Sequence, residues 1–354
     1  QWQLMWRRLK RHKLAITGGT ILILFYLTAI FSDFLAPYNP TEPFDVYTSA
    51  QPFWFRFVSD DGFRIRPFVY GLERTRDPET FKLIFEADRT RMYDIKWFVH
   101  GSEYKLFGFI PSDIHLFGTE SGGHVFLFGT DALGRDLFSR VISASRISLT
   151  IGLVGVIFTF VLGCFFGGVS GYYGGNVDMV IQRIIEFLLS IPTLPLWMTL
   201  SAALPRTWTQ VQVYLAITVI LSLQNWTGLA RVVRGKLISM RNEDFVMAAR
   251  IAGAREPRII VRHMLPGFMS YLIVSLTLAI PSMILGETAL SFLGLGLRAP
   301  VVSWGVLLNE AQHVRVVAQY PWILIPGIFV VVIVLAFNFL GDGLRDAADP
   351  YKEI

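Results

Sequence analysis

The nearest approach to nucleotide chemistry in this chain is Gly235-Lys236-Leu237. A phosphate-cradling loop reads G-x-x-x-x-G-K-[ST], with glycines for close backbone approach, a lysine for the phosphates and a hydroxyl for Mg2+. The upstream glycine and the hydroxyl are both missing here, so any ATP energy must come from another chain. Gly294-Leu295-Gly296-Leu297-Arg298-Ala299 satisfies G-x-G-x-x-A, the dinucleotide fingerprint. That motif needs a helix directly after it inside a βαβ unit, and Pro300 on an apolar run supplies neither. Gly168-Val169-Ser170 would need a histidine base at membrane depth to act as an intramembrane serine nucleophile. His12, His100, His115, His124, His263 and His313 all fall in loops or at the edges of apolar runs, so small residues packing helices together is the better reading. Cys164 is the lone cysteine, which excludes a disulfide framework and a cysteine metal site, and no metal site is expected. Ion-coupled transport usually requires Asp, Glu or His inside a membrane bundle. The apolar runs contain none, and Glu186 and Glu287 only flank them. Asn225, Trp226 and Asn338 remain as groups that line a pathway or bond neighbouring helices.

The elements that carry these residues are membrane elements. Apolar residues make up 53% of the chain and charged residues 17%, against roughly 25% charge in soluble domains. Six uncharged runs approach or exceed the roughly 20 residues a bilayer requires: about 14–31, 147–177, 187–204, 209–230, 264–286 and 316–341. The second is overlong, so its 167–175 end is expected to become loop, and Pro192 and Pro195 should kink or break the third. Residues 291–297 are too few to cross and read as a re-entrant or interfacial turn before Pro300. The fold expected is an all-α polytopic membrane protein with six transmembrane helices and a small mixed, β-containing insert.

Arg7, Arg8, Lys10, Arg11 and Lys13 precede the first run without an acid among them, and the 231–263 loop carries eight arginines and lysines. Excess basic charge in short segments marks the cytoplasmic side, which places the chain in a bacterial inner membrane with both termini in the cytoplasm. The net charge of +5 is therefore read as topology rather than as a nucleic-acid patch. Trp2, Met5, Trp6 and Leu9 share a face of an interfacial helix within 1–13, followed by the first span over 14–32. Residues 33–146 form a periplasmic insert, 147–350 the five-helix core, and 351–354 a cytoplasmic tail. Alternation in 81–85, 94–99 and 104–107 predicts short strands in the insert, which is larger than a span connection needs and reads as a partner surface or entrance gate.

The most informative loop lies between the fourth and fifth runs. Asn242 is a plausible N-cap, and Glu243 and Asp244 place negative charge at the positive end of a helix. Phe245, Ala248, Ala249 and Ala252 form one narrow apolar face, Gly253 can stop the helix, and Pro257 can open another. Small residues let a partner approach the backbone closely, whereas a lipid-facing helix would favour Leu, Phe and Trp.

That loop resembles the EAA signature of ABC importer permeases: Ala248, Ala249, Gly253, Leu265 and Pro266 fit, while Met247 replaces the glutamate and His263 the isoleucine. Three further stretches narrow the resemblance to the C-type permease subunit of dipeptide and oligopeptide ABC importers. They are Phe128-Gly129-Thr130-Asp131-Ala132-Leu133-Gly134-Arg135-Asp136-Leu137-Phe138-Ser139-Arg140, Glu287-Thr288-Ala289-Leu290-Ser291-Phe292-Leu293-Gly294-Leu295-Gly296 and Gly341-Asp342-Gly343-Leu344-Arg345-Asp346-Ala347-Ala348-Asp349-Pro350. The long insert resembles the Yej-type branch, associated with oligopeptides and peptide-like antibiotics.

The resemblance implies a type I importer fold. It implies a homologous B-type permease partner, two ABC ATPase domains holding ATP and Mg2+, and a periplasmic solute-binding protein, with no cofactor and no catalysis on this chain. It assigns ATPase coupling to Asp244, Phe245, Ala248, Ala249, Ala252, Gly253, Ala254, Arg262, His263, Leu265 and Pro266. The alternatives are an ion-coupled secondary transporter, or an ABC importer of a non-peptide solute such as an oligosaccharide or an opine.

Overall fold

The computed structural model describes residues 2–60, 62–76, 83–119 and 122–348. Phe81 and Lys82 of the expected first strand, and residues 349–354 of the tail, lie outside them. A short helix α1 (Trp2–Leu9) leads into α2 (Lys13–Ile30), whose amide of Ala15 donates to His12 Nδ1 at the cap. One turn, α3 (Ser32–Leu35), follows. The insert is then a four-stranded antiparallel meander in sequence order: β1 (Arg56–Ser59), β2 (Gly62–Arg76), β3 (Leu83–Leu106) and β4 (Ile110–Thr119). The alternating segments at 94–99 and 104–106, and the described part of the first at 83–85, belong to one long strand rather than separate ones. It is interrupted in its pairing by irregularities between Tyr70 and Gly71 on β2 and between His100 and Tyr104 on β3. Val69, Ile95, Phe117 and Val125 form the insert's own small core.

The helical body comprises α4 (Leu137–Tyr173), α5 (Gly175–Ser190), α6 (Thr193–Ala202), α7 (Gln210–Met240), α8 (Asp244–Ile251), α9 (Glu256–Arg258), α10 (Met269–Phe292), α11 (Trp304–Asn309), α12 (Val314–Gln319) and α13 (Ile325–Ala348). Among the described residues five helical stretches are long and apolar enough to cross a bilayer, or six if the α5–α6 pair counts as one span. That pair is bent by 86°, at the Ile191-Pro192 break where proline was expected to interrupt it. The start of α7 carries a capping box, in which Thr209 and Gln212 each satisfy the other's backbone amide.

The glycine-rich end of α4 corrects the sequence reading. Residues 167–173 stay helical, with Gly167, Gly168, Ser170, Gly171 and Tyr172 buried, and only Gly174 and Gly175, both at positive φ, break the chain. Gly163, Gly167 and Gly171 lie on one face of α4 at four-residue spacing, and that face seats α7. A Cβ on Gly167 would stand 2.5 Å from the Ala230 carbonyl oxygen and 2.8 Å from Val233 Cβ. Close backbone approach through small residues is how helices associate where lipid removes the hydrophobic drive between them. α4 also begins earlier than expected, at Leu137 rather than near Ile147. At about 1.5 Å per residue its 37 residues reach about 55 Å, well beyond a bilayer core.

Candidate functional site: the α8 helix and the two ends of α4

The α8 helix sits at the loop where α7 ends. Its N-cap is Glu243, in extended conformation with no side-chain cap bond, so the capping role read for Asn242 is not made. Glu243 instead offers its carbonyl to the amides of Val246 and Met247, and Asp244 keeps negative charge in the first turn. The C-terminus closes as expected of a glycine stop: Gly253 has φ +75°, and the Ala254 amide donates to the Ala249 carbonyl at 3.0 Å. Pro257 lies in the first turn of α9. The 259–264 stretch, holding Arg262 and His263, is a π-helical turn, and Leu265 and Pro266 continue as a 3-10 turn.

The apolar residues of α8 divide between two directions. Ala249 and Val246 are buried in a cluster with Tyr172, Val233, Leu237, Ile259 and Met264. Phe245, Ala248, Ala252 and Gly253 are exposed, as are Asp244, Arg262, His263 and Pro266, while Ala254 and Leu265 are half-buried. Val246 is thus the anchor that the sequence pattern did not single out. Ile251, 86% exposed, and Met247 widen the outward apolar face beyond the alanines. Periodicity could have found Val246, since it stands three residues before Ala249.

Contact with the bundle is made at the far end of α4. Arg250 lies over the Tyr172 ring at 5.1 Å and donates from Nε to its hydroxyl at 3.3 Å. Of the pathway candidates, Asn225 is half-buried on α7, donating to the Leu221 carbonyl at 2.9 Å and meeting Met283 Sδ at 3.4 Å. Trp226 is buried in a cluster with Ile181, Ile185 and Ala230. Asn338 is half-buried on α13.

The sequence places Glu287 beside the fifth run, yet α10 continues to Phe292 and the carboxylate is fully buried. Hydroxyls replace its water. Ser291 and Ser303 donate to Oε1 at 2.8 and 2.7 Å, and Ser148 of α4 approaches Oε2 at 3.5 Å. The same serines accept the amides of Leu297, Val306 and Trp304. The group therefore knots the 293–303 turn onto α4 and α10. Four-residue spacing of Glu287 and Ser291 was the available signal.

A second buried charge cluster holds the opposite end of α4 from Tyr172. Asp131, 1% exposed, accepts from Arg135 Nε at 2.7 Å, from the amides of Leu133 and Arg135, and from Arg140 Nη1. Arg135 and Arg140 also reach Glu310 at 3.3 and 3.5 Å. Trp322 Nε1 donates to the Thr130 carbonyl at 3.0 Å, and the Thr130 hydroxyl receives the Ala50 amide. The 129–136 loop thereby ties the insert, α4 and the segment before α13 together.

Residues 160–353 match the family model of the binding-protein-dependent transport system inner membrane component. The chain belongs to this family of transport permeases. Residues 1–52 match the N-terminal TM domain of oligopeptide transport permease C. A dipeptide transport system permease protein DppC of Lactococcus lactis is 33% identical over 98% of this chain and 89% of its own length. The DppC of Bacillus subtilis is 41% identical over 63% of this chain and 68% of its own. An oligopeptide transport system permease protein OppC of Haemophilus influenzae is 41% identical over 66% of this chain and 72% of its own.

Ahead of the permease's second long helix, Asp136 caps α4 by accepting the Ser139 amide at 2.8 Å, and its other oxygen is buried without a partner. Burial raises its carboxyl to about 7, against the opposing pull of the Ser139 bonds. A raised carboxyl binds more protons folded than unfolded, so its stabilisation is complete below the ordinary carboxyl range and lost as pH rises toward 7. The permease should lose about 3 kcal/mol between pH 5 and 8 from this group alone. Asp136→Asn, which keeps the acceptor and cannot ionise, should flatten that part of the slope. Thermal unfolding in nanodiscs across the pH range checks both.

Proposed function

We propose that this permease is one subunit of an ATP-driven, binding-protein-dependent importer for oligopeptides or peptide-like compounds. It would form half of the translocation pathway beside a homologous B-type permease. The observation that carries the coupling is the outward apolar face of α8, with Phe245, Ala248, Ile251 and Ala252 turned away from the chain's own bundle. Its helix is held from behind by Val246 and Ala249. Such a face fits a groove on an ATPase subunit, where an exposed aromatic serves as anchor and small neighbours allow close approach. ATP and Mg2+ would be held on those partner subunits. The basic flanks at 7–13 and 231–263 support placing α8 and both termini in the cytoplasm and the sheet in the periplasm.

Force on α8 has a physical route through the bundle. Displacement of α8 acts on Tyr172 through Arg250 and the Val246 cluster, and therefore on the end of α4. α4 is a single helix from Tyr173 back to Leu137, close-packed on α7, so it moves as a rod rather than bending. Its far end carries the Asp131 cluster and the insert with it. Rocking of α4 and α7 is the motion this geometry supports.

Reconstituted proteoliposomes test the reading. Uptake of a labelled oligopeptide should require ATP, the ATPase subunits and the binding protein, and unlabelled peptides should compete where oligosaccharides do not. Uptake driven by a proton or sodium gradient without ATP would assign the chain to secondary transport. The names of the relatives, dipeptide and oligopeptide permeases, favour the peptide outcome.

A further inference from the structure

The β3–β4 hairpin ends beside the first span rather than away from the membrane. α2 has 18 residues, so at about 1.5 Å per residue it reaches about 27 Å, close to a hydrocarbon core of roughly 30 Å. Its last residues, near Ile30 and Phe31, therefore lie at one boundary of the core. A charged pair marks the same level: Arg146 donates to Asp33 at 2.8 Å and to the Ala29 carbonyl at 3.4 Å. Charges of this kind sit among headgroups and not in hydrocarbon.

The hairpin tip, at Phe107 and Phe109, and Phe98 within β3 meet that level with aromatic rings. Phe107 packs on Phe31 at 5.8 Å between centroids, Phe109 on Phe107 at 6.3 Å, and Phe98 on Phe34 at 6.2 Å. These contacts cover only part of each ring. Phe98 remains 65% exposed, Phe107 50% and Phe109 73%. Two of them are held outward by unusual backbone, with φ +57° at Phe98 and +55° at Phe107, a region that bulky side chains rarely occupy. The exposed rings continue the apolar face of α2, where Leu24, Leu27 and Ile30 are also turned outward. Exposed apolar side chains are thus found on the side of a membrane span and on the tip of a β-hairpin, joined by the Phe31–Phe107 contact.

We propose that this tip is a membrane anchor: Phe107 and Phe109, with Phe98 further back on β3, enter the interfacial layer of the leaflet at the Phe31 end of α2, and their partner is lipid. Aromatic rings at the boundary between headgroups and acyl chains are a favourable placement, and burial of each ring there adds to the hold. The anchor ties the sheet to the bilayer independently of the Asp131 cluster at the base of the insert. Tilting of α2 would then be felt by the sheet directly. The inference depends on the chain spanning a membrane, and not on which solute it carries.

Depth measurements on the whole complex in nanodiscs test it. A nitroxide is placed at Phe109→Cys in a Cys164→Ala background, with Ile110→Cys as a second site on the same tip. Leu24→Cys, on the exposed side of α2, supplies the lipid reference. Glu86→Cys supplies the aqueous one, since Glu86 is exposed and paired across the sheet with Glu73, two acids that require water. The ratio of oxygen to nickel-chelate collisions at 109 and 110 should be several-fold above that at 86 and below that at 24, which stands about 10 Å deeper along α2. Ratios equal to that at 86 would overturn the anchor. Shielding of 109 and 110 from both reagents would overturn it too, because the tip would then be covered by a protein partner.

Discussion

Gly253→Asp should leave an inserted, folded permease that transports almost nothing. Gly253 stops α8 with φ +75°, and a Cβ there would meet nothing within 4 Å. Asp is among the few residues that tolerate this conformation, so folding loses only about 1 kcal/mol. The carboxylate, however, would stand at the end of the outward face of α8, where Ala252 and Gly253 are exposed. A charge buried at an interface without a partner costs several kcal/mol, enough to reduce coupled activity by two orders of magnitude or more. Gly253→Ala separates the two effects, since it carries the backbone cost and no charge. Binding-protein-stimulated ATP hydrolysis and uptake in proteoliposomes are the readouts. Near-normal values for Gly253→Asp would remove α8 from the coupling interface.

Asp131→Ala should cost about 3–5 kcal/mol, because it leaves Arg140, itself buried, with only the longer contact to Glu310 at 3.5 Å. Four donors lose their acceptor at once: two backbone amides and the side chains of Arg135 and Arg140. Thermal melting of the assembled complex should fall by on the order of 10 °C. Glu310→Gln should cost far less, since Glu310 is the more exposed partner and bonds at longer range. A shift from Asp131→Ala no larger than that from Glu310→Gln would show that the cluster does not hold the insert to α4.

Much of this arrangement is legible in the residues, and the failures have physical causes. Helix α8 is readable because its stop needs only one residue type, a glycine at positive φ, and its length is short. The helix is capped at Glu243 and not at Asn242, and both are polar, so residue type alone does not choose between them. The end of α4 was misjudged because glycine in a soluble protein breaks helices, whereas between membrane helices the same residues at 163, 167 and 171 admit a neighbour. Glu287 escaped because its partners Ser148 and Ser303 come from distant parts of the chain. The Asp131 cluster was visible as a run of residues in 128–140, but its closure on Glu310 crosses 175 residues from Arg135 and has no local signal. In the sheet, alternation found segments of β3 and not their continuity, since the pairing irregularities interrupt the period of two.

The proposed coupling seats the exposed face of α8 in an ATPase subunit. Cross-linking at Ala252 tests it most directly, because Ala252 is exposed at the close of α8 and its replacement by cysteine adds little volume. In a Cys164→Ala background, a short maleimide–photoreactive reagent attached at Ala252→Cys should yield one major adduct, the permease joined to an ATPase subunit. The same reagent at Glu86→Cys on the sheet should give none with that subunit. Efficient labelling at 252 in an assembled complex without any ATPase adduct would contradict the account.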